Sequence, residues 1–148
     1  MNEKNILKEV INSLYGKNPK QDVRYVSGKA GKGFCLQTNR VYIFPEDVPI
    51  ILADNREPMN LDKLTPDIDT YHRVTSITYL DYCPLGQKKK YTLAKLEAGN
   101  KTAFMNKDYM KHFDNPTYFI KGRKDIIQVY EEGILVALVL PVNYKEGE

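Results

Sequence analysis

The sequence predicts an α+β fold, and three observations carry that expectation. One apolar stripe at helical spacing opens the chain: Ile6, Leu7, Val10, Ile11, Leu14 and Tyr15. Short alternating segments rich in β-branched and aromatic residues fill most of the remainder. A second helix is expected only at Lys107–Phe113, between strands. The expected order is therefore helix, strands, connector, strands, helix, strands. At 148 residues this makes a single domain. Its halves are 1–53 and 71–144, each a helix plus antiparallel strands, with an irregular connector over 54–70.

The first helix lies near residues 4–15. Lys4, Lys8, Glu9 and Asn12 fall on its polar faces, Gly16 suits a C′ stop, and Pro19 follows. Val23–Ser27 reads as a short strand. Gly28, Gly31 and Gly33 punctuate a loop that carries Lys29 and Lys32. Phe34–Phe44 reads as strand, turn and strand, with the turn over Gln37–Arg40. Pro45 and Pro49 limit continuation as a central strand, and 50–53 is a further short strand candidate. Pro58, Pro66 and six Asp or Asn residues make 54–70 a surface loop or connector.

Arg73–Tyr82 opens the second half as a strand, and Pro84-Leu85-Gly86 turns the chain. Tyr91–Leu96 and Thr102–Met105 form a hairpin around Ala98-Gly99-Asn100-Lys101. Asn106 is the N-cap of the short helix, with Tyr109, Met110 and Phe113 on its buried side. Thr117–Lys121, Ile126–Tyr130 and Ile134–Val142 are the closing strands, with Glu131-Glu132-Gly133 as the last turn. Residues 145–148 are an expected frayed tail.

Composition excludes several classes. A net charge of +3, from 22 basic and 19 acidic residues, permits nucleic-acid contact without demanding it. The longest apolar run, Ile134–Val142, is far short of the ~20 residues of a membrane helix. The polar, charged first residues do not resemble a signal peptide, so a cytoplasmic protein with no membrane partner is expected. Two cysteines, Cys35 and Cys83, supply neither a disulfide framework nor a four-ligand zinc site and read as reduced thiols.

Catalytic and cofactor motifs do not emerge. Gly28–Gly33 has the glycine spacing of a phosphate loop, but Phe34 and Cys35 follow in place of Lys-Ser/Thr and a helix. Asp67, Asp69 and His72 are metal-ligand types in a loop that reads better as solvated. His112, beside Lys111, reads as a surface residue. No nucleophile motif is present, so a non-enzymatic protein without a cofactor is expected. Lys88-Lys89-Lys90-Tyr91 is a basic run beside an aromatic, either a phosphate-holding segment or a solvated loop. Eleven tyrosines are either packed rings or a recognition surface.

The segment Met105-Asn106-Lys107-Asp108-Tyr109-Met110-Lys111-His112-Phe113 and the ending Leu140-Pro141-Val142-Asn143-Tyr144 resemble the end of a bacterial DNA polymerase III β subunit, the sliding clamp. That family closes on a short N-x-x-Y-L/M helix, a few strands and Leu/Met-Pro-Val/Met-Arg. Asn106, Tyr109, Met110, Leu140, Pro141 and Val142 match, while Asn143 stands in place of Arg. Thr38 and Arg40 fit a shortened form of the family's Thr-Asp-Gly-x-Arg segment, without the Asp-Gly pair.

The resemblance implies one clamp-like domain, a link to DNA replication, and a phage or mobile-element setting. It implies a groove for a protein partner's peptide at Leu140, Pro141, Val142 and Asn143. It also implies helices that present basic residues to duplex DNA, here Lys4 and Lys8 on one helix and Lys107 and Lys111 on the other. A ring would need many copies of this chain, so self-association is a further partner option.

Overall fold

The strand Ile134–Val139 is paired on both sides, and the architecture is built around it. The computed structural model describes residues 1–15, 24–28, 31–36, 41–43, 59–62, 68–84 and 86–145. Helix α1 spans Glu3–Tyr15. The strands are β1 Arg24–Gly28, β2 Gly31–Leu36, β3 Val41–Ile43, β4 Met59–Asn60, β5 His72–Arg73, β6 Ser76–Tyr82, β7 Tyr91–Ala98, β8 Lys101–Asn106, β9 Thr117–Ile120, β10 Ile127–Glu131 and β11 Ile134–Val139. Short 3-10 helices cover Ile68–Thr70 and Lys107–His112. The fold is α+β, as the patterning predicts. Expectations for Gly16 and Pro19, the 37–40 turn, Pro45 to Ala53, Pro58, Pro66, Asp67, Leu85 and the last three residues lie outside the described residues.

Eight strands form one sheet in the order β4-β1-β2-β3-β11-β10-β9-β5, and β6-β7-β8 form a second. Strand β3, from the first half of the sequence, pairs with β11, from its end, through Val41↔Val139, Tyr42↔Leu138 and Ile43↔Ala137. The halves are thus joined within one ladder. The segment expected as a single strand over 73–82 is divided between sheets. Val74 N donates to Tyr118 O in the large sheet (2.9 Å), and Thr75 N donates to Glu97 O in the small one (2.9 Å). A strand that changes sheets in this way makes the corner of a two-layer β structure.

The apolar alternation explains the layers. Phe34, Val41, Ile43, Tyr118, Ile120, Ile127, Val129, Ala137 and Val139 point inward from the large sheet. Ala94, Leu96, Ala103 and Met105 meet them from the small sheet, and Ile6 and Val10 join from α1. Val26, Cys35, Tyr42 and Leu138 take the opposite face, where Leu61 and Ile126 cover them. A bulge breaks the alternation in β11. Val129 faces Ala137 but Tyr130 faces Leu135, so Val136 is the extra residue and shares the core face with Ala137.

Four expectations are corrected. The apolar stripe of α1 is narrower than its sequence pattern: Ile6 is buried, whereas Ile11 is 57% exposed. His112 is fully buried and not a surface residue. Tyr109 and His112, three residues apart, share one side of this 3-10 helix, and both are buried. The connector carries order of its own: Met59 and Asn60 pair in parallel with Val26 and Ser27, Leu61 N donates to Ser27 O (2.8 Å), and Leu61 is buried. The glycine loop is shorter than expected, since Gly28 pairs with Gly31 and Gly33 lies inside the ladder opposite Val26.

The tight turns follow the sequence. Glu132 and Gly133 both have positive φ (51° and 77°) between the paired Glu131 and Ile134, the geometry of a primed two-residue hairpin. Glutamate is a poor residue for that left-handed position. Glu132→Asn is expected to raise stability by ~0.5 kcal/mol and Glu132→Val to lower it by ~1 kcal/mol, read by urea titration. Equal stability of both variants would contradict the turn geometry. The helix interface supplies a second test. Ile6→Asp should cost ~3 kcal/mol or more, and Ile11→Asp no more than ~0.5 kcal/mol, in the same titration.

Candidate functional site

The last described residues leave the large sheet and cross to the small one. Strand β11 stops at Val139, and Pro141 brings no N–H with which to continue a ladder. Val142 N instead donates to Phe104 O on β8 (2.8 Å). Tyr144 then seats its ring edge-on to Tyr82 and to Phe104, with centroids 5.1 and 5.0 Å apart. Between this crossing segment, the ends of β6 and β7 and the start of the 3-10 helix lies a cavity of about 350 Å³.

Three kinds of side chain line it. Leu93, Leu140 and Val142, with Pro84 and Pro141, give aliphatic walls. Tyr82, Tyr91 and Tyr109 give aromatic ones, and Gln87, Asn106 and Asn143 place amides around them. Leu93 and Tyr109 are buried and form the floor, whereas Gln87 and Asn143 are exposed at the rim. No lining residue carries a formal charge. Two amides are held in place. Tyr91 Oη donates to Gln87 Oε1 (3.1 Å), and Asn106 Oδ1 accepts from Asp108 N (3.0 Å) as the cap of the 3-10 helix. The loop before β7 is further fixed by Gln87 N donating to Pro84 O (3.1 Å) and Cys83 Sγ donating to Gln87 O (3.2 Å). Gly86 adopts φ 80° in that loop, a conformation a side chain would strain.

All four residues of the expected peptide groove, Leu140, Pro141, Val142 and Asn143, are on this cavity. The sequence did not single out Tyr82, Pro84, Gln87 or Leu93 for it. The sequence marks Tyr91 only as the aromatic beside the lysine run, and Tyr109 and Asn106 only as parts of the short helix. Only the meeting of β6, β7 and the crossing segment brings these residues together.

The four lysines expected to face DNA are distributed differently. Helix α1 docks on the 3-10 helix: Asn2 N donates to His112 O (2.7 Å) and Asn5 Nδ2 to Lys111 O (2.9 Å). Lys111 Nζ then pairs with Glu9 Oε1 of α1 at 2.5 Å. Lys107 Nζ sits 4.6 Å from the ring centre of Tyr79 on β6. Lys4 and Lys8 are exposed on α1. Of the metal-ligand types, Asp69 and His72 are exposed, and no cluster of three His, Cys, Asp or Glu forms among the described residues. Cys35 is buried and Cys83 exposed, both as free thiols. No helix among the described residues is long and apolar enough to cross a membrane.

Comparison of the chain with protein-family models, curated proteins and solved structures finds no match. The likeness to a sliding clamp therefore rests on the short segments 105–113 and 140–144 and on Thr38 and Arg40.

The helix junction behind the cavity has its own electrostatics. Burial pushes His112 from its ordinary 6.5 down to about 4, with Glu9 opposing the change and Lys111 reinforcing it. The native imidazole is neutral at pH 7. As pH falls from 6.5 toward 4, the unfolded chain takes up a proton that the folded chain refuses. This contribution is complete above pH 6.5 and is lost on acidification, by on the order of 3 kcal/mol over the full window. Urea titrations of wild type and His112→Gln across this window should show the wild type losing more stability. Parallel curves would contradict a neutral buried His112.

Proposed function

We propose that this chain is a non-catalytic, clamp-like interaction module that holds a short linear segment of a protein partner in the cavity beside Leu140–Asn143. One observation carries the reading: the residues that resemble the clamp ending line a cavity of about 350 Å³ with aliphatic and tyrosine walls. Those walls suit an aliphatic or aromatic anchor, and the rim amides suit the polar backbone on either side of it. Asn143, where the clamp pattern has Arg, removes a charged contact from the rim and leaves the lining neutral. The resemblance supplies DNA replication as the setting and a phage or mobile element as the source. Contact with duplex DNA is a weaker reading, because Glu9 answers the charge of Lys111 and Lys107 rests on Tyr79.

An array of linear peptides, each with one apolar anchor in a polar background, tests the peptide reading. Wild type is expected to bind a subset of them, and Val142→Asp to weaken that binding about tenfold or more, ~1.4 kcal/mol, without loss of fold by circular dichroism. Binding that is indifferent to Val142→Asp and to Asn143→Arg would place the partner site elsewhere.

A further inference from the structure

The loop that forms one wall of the cavity carries charge that its lining lacks. Gln87 and Tyr91 both line the cavity, and the three residues between them are Lys88, Lys89 and Lys90. All three lysines are exposed. The loop that bears them is held at both ends, by Gln87 N on Pro84 O and by Tyr91 Oη on Gln87 Oε1. The basic run is thus fixed beside the mouth of a neutral cavity and is not spread over a face. By alternation along β6, Asp81 faces away from the cavity that its neighbour Tyr82 lines.

We infer that the segment bound here is an acidic peptide: one neutral apolar anchor enters the cavity, and Asp or Glu residues flanking it on one side meet Lys88–Lys90. The inference rests on the peptide reading above and adds the chemistry of the partner. Exposed lysines at the rim act over a distance of about a Debye length, so they favour encounter and select the sign of the flank more than they add affinity. A single-stranded nucleic acid, with a base in the cavity and phosphates on the lysines, fits less well. Five aliphatic residues form much of the wall, and the Tyr82 ring is already engaged edge-on by Tyr144.

Fluorescence polarisation with three labelled peptides, each with a central Phe and with acidic, neutral or basic flanks, tests the inference, with oligo-dT as competitor. The acidic-flanked peptide is expected to bind tightest at low salt. It should lose about tenfold in affinity in the Lys88→Ala, Lys89→Ala, Lys90→Ala variant, and a similar factor on raising salt. It should also lose binding in Val142→Asp. Binding that ignores the flanks and the lysine substitutions, yet still fails in Val142→Asp, overturns the acidic flank and leaves the peptide cavity standing. Acidic-peptide binding that needs the lysines but survives Val142→Asp overturns both. Oligo-dT binding that outcompetes the acidic peptide and is lost in the lysine variant overturns the inference in favour of phosphate.

Discussion

The pairing of β11 with β3 on one side and β10 on the other is the constraint on which the rest depends. The β3 ladder brings residues about a hundred positions apart into register, with Val41 opposite Val139, while the β10 ladder, a local hairpin, sets Ile127 opposite Val139 on the other edge. Closing so long a loop costs conformational entropy, which only extensive burial offsets. Strand β11 provides it on both faces: Val136, Ala137 and Val139 enter the cluster shared with the small sheet, and Leu138 enters the cluster on the outer face. The bulge at Val136 adds a core side chain without lengthening the ladder. With burial on both faces, it explains why four consecutive residues, Val136 to Val139, are all buried.

Much of this was legible in the sequence wherever the signal is local. The hairpin turns at Gly99-Asn100 and Glu132-Gly133, the Asn106 cap and the strand periods of β7 to β11 all depend on neighbours in the chain. The parts that were not legible depend on distant ones. Nothing near Val74 announces that its amide bonds to β9 while the next amide bonds to β7. Met59 and Asn60 form a strand only because Val26 and Ser27 lie alongside, against the local preference set by the Pro and Asp residues around them. Ile11 fits the helical stripe by spacing, but the partner surface reaches only as far round as Ile6 and Val10. His112, beside the charged Lys111, carries no local sign of burial; the packing around it depends on Asn2 and Asn5, about a hundred residues away in the chain. At the site, Leu140–Asn143 could be singled out because they are contiguous, whereas the lining residues from β6, β7 and the loop between them are brought together by tertiary structure alone.

The same distinction governs charge. Spacing puts Lys107 and Lys111 on one helical face, and Lys4 and Lys8 on another, which on paper makes a basic surface. Tertiary contacts decide whether such charges remain available. The docking of α1 on the 3-10 helix brings Glu9 to Lys111 and leaves the neighbouring His112 neutral and buried, so this junction serves cohesion. Surface ion pairs of this kind contribute little individually. Here the pair accompanies bonds from Asn2 N to His112 O and from Asn5 Nδ2 to Lys111 O, and together they fix the helix whose Tyr109 forms part of the cavity floor.

The cavity itself follows from a strand that cannot continue. A regular extension of β11 through residues 140–143 would keep the crossing segment in the plane of the large sheet. Proline at 141 ends that possibility, and the single bond from Val142 to Phe104 pulls the chain across to β8. Where this irregular segment bridges the sheets a gap is left, and the side chains at its edges are those of strand ends and not of strand interiors. Strand ends carry turn and cap residues such as Pro84, Gln87 and Asn106, which explains how a pocket with an aliphatic and tyrosine floor comes to have a polar, uncharged rim. The lysine run stands immediately outside that rim because charged residues are excluded from the packed gap but tolerated on the loop that closes it. The separation of a neutral interior from a charged border is therefore a consequence of how the sheets are joined, and it is the feature on which the proposed peptide recognition draws.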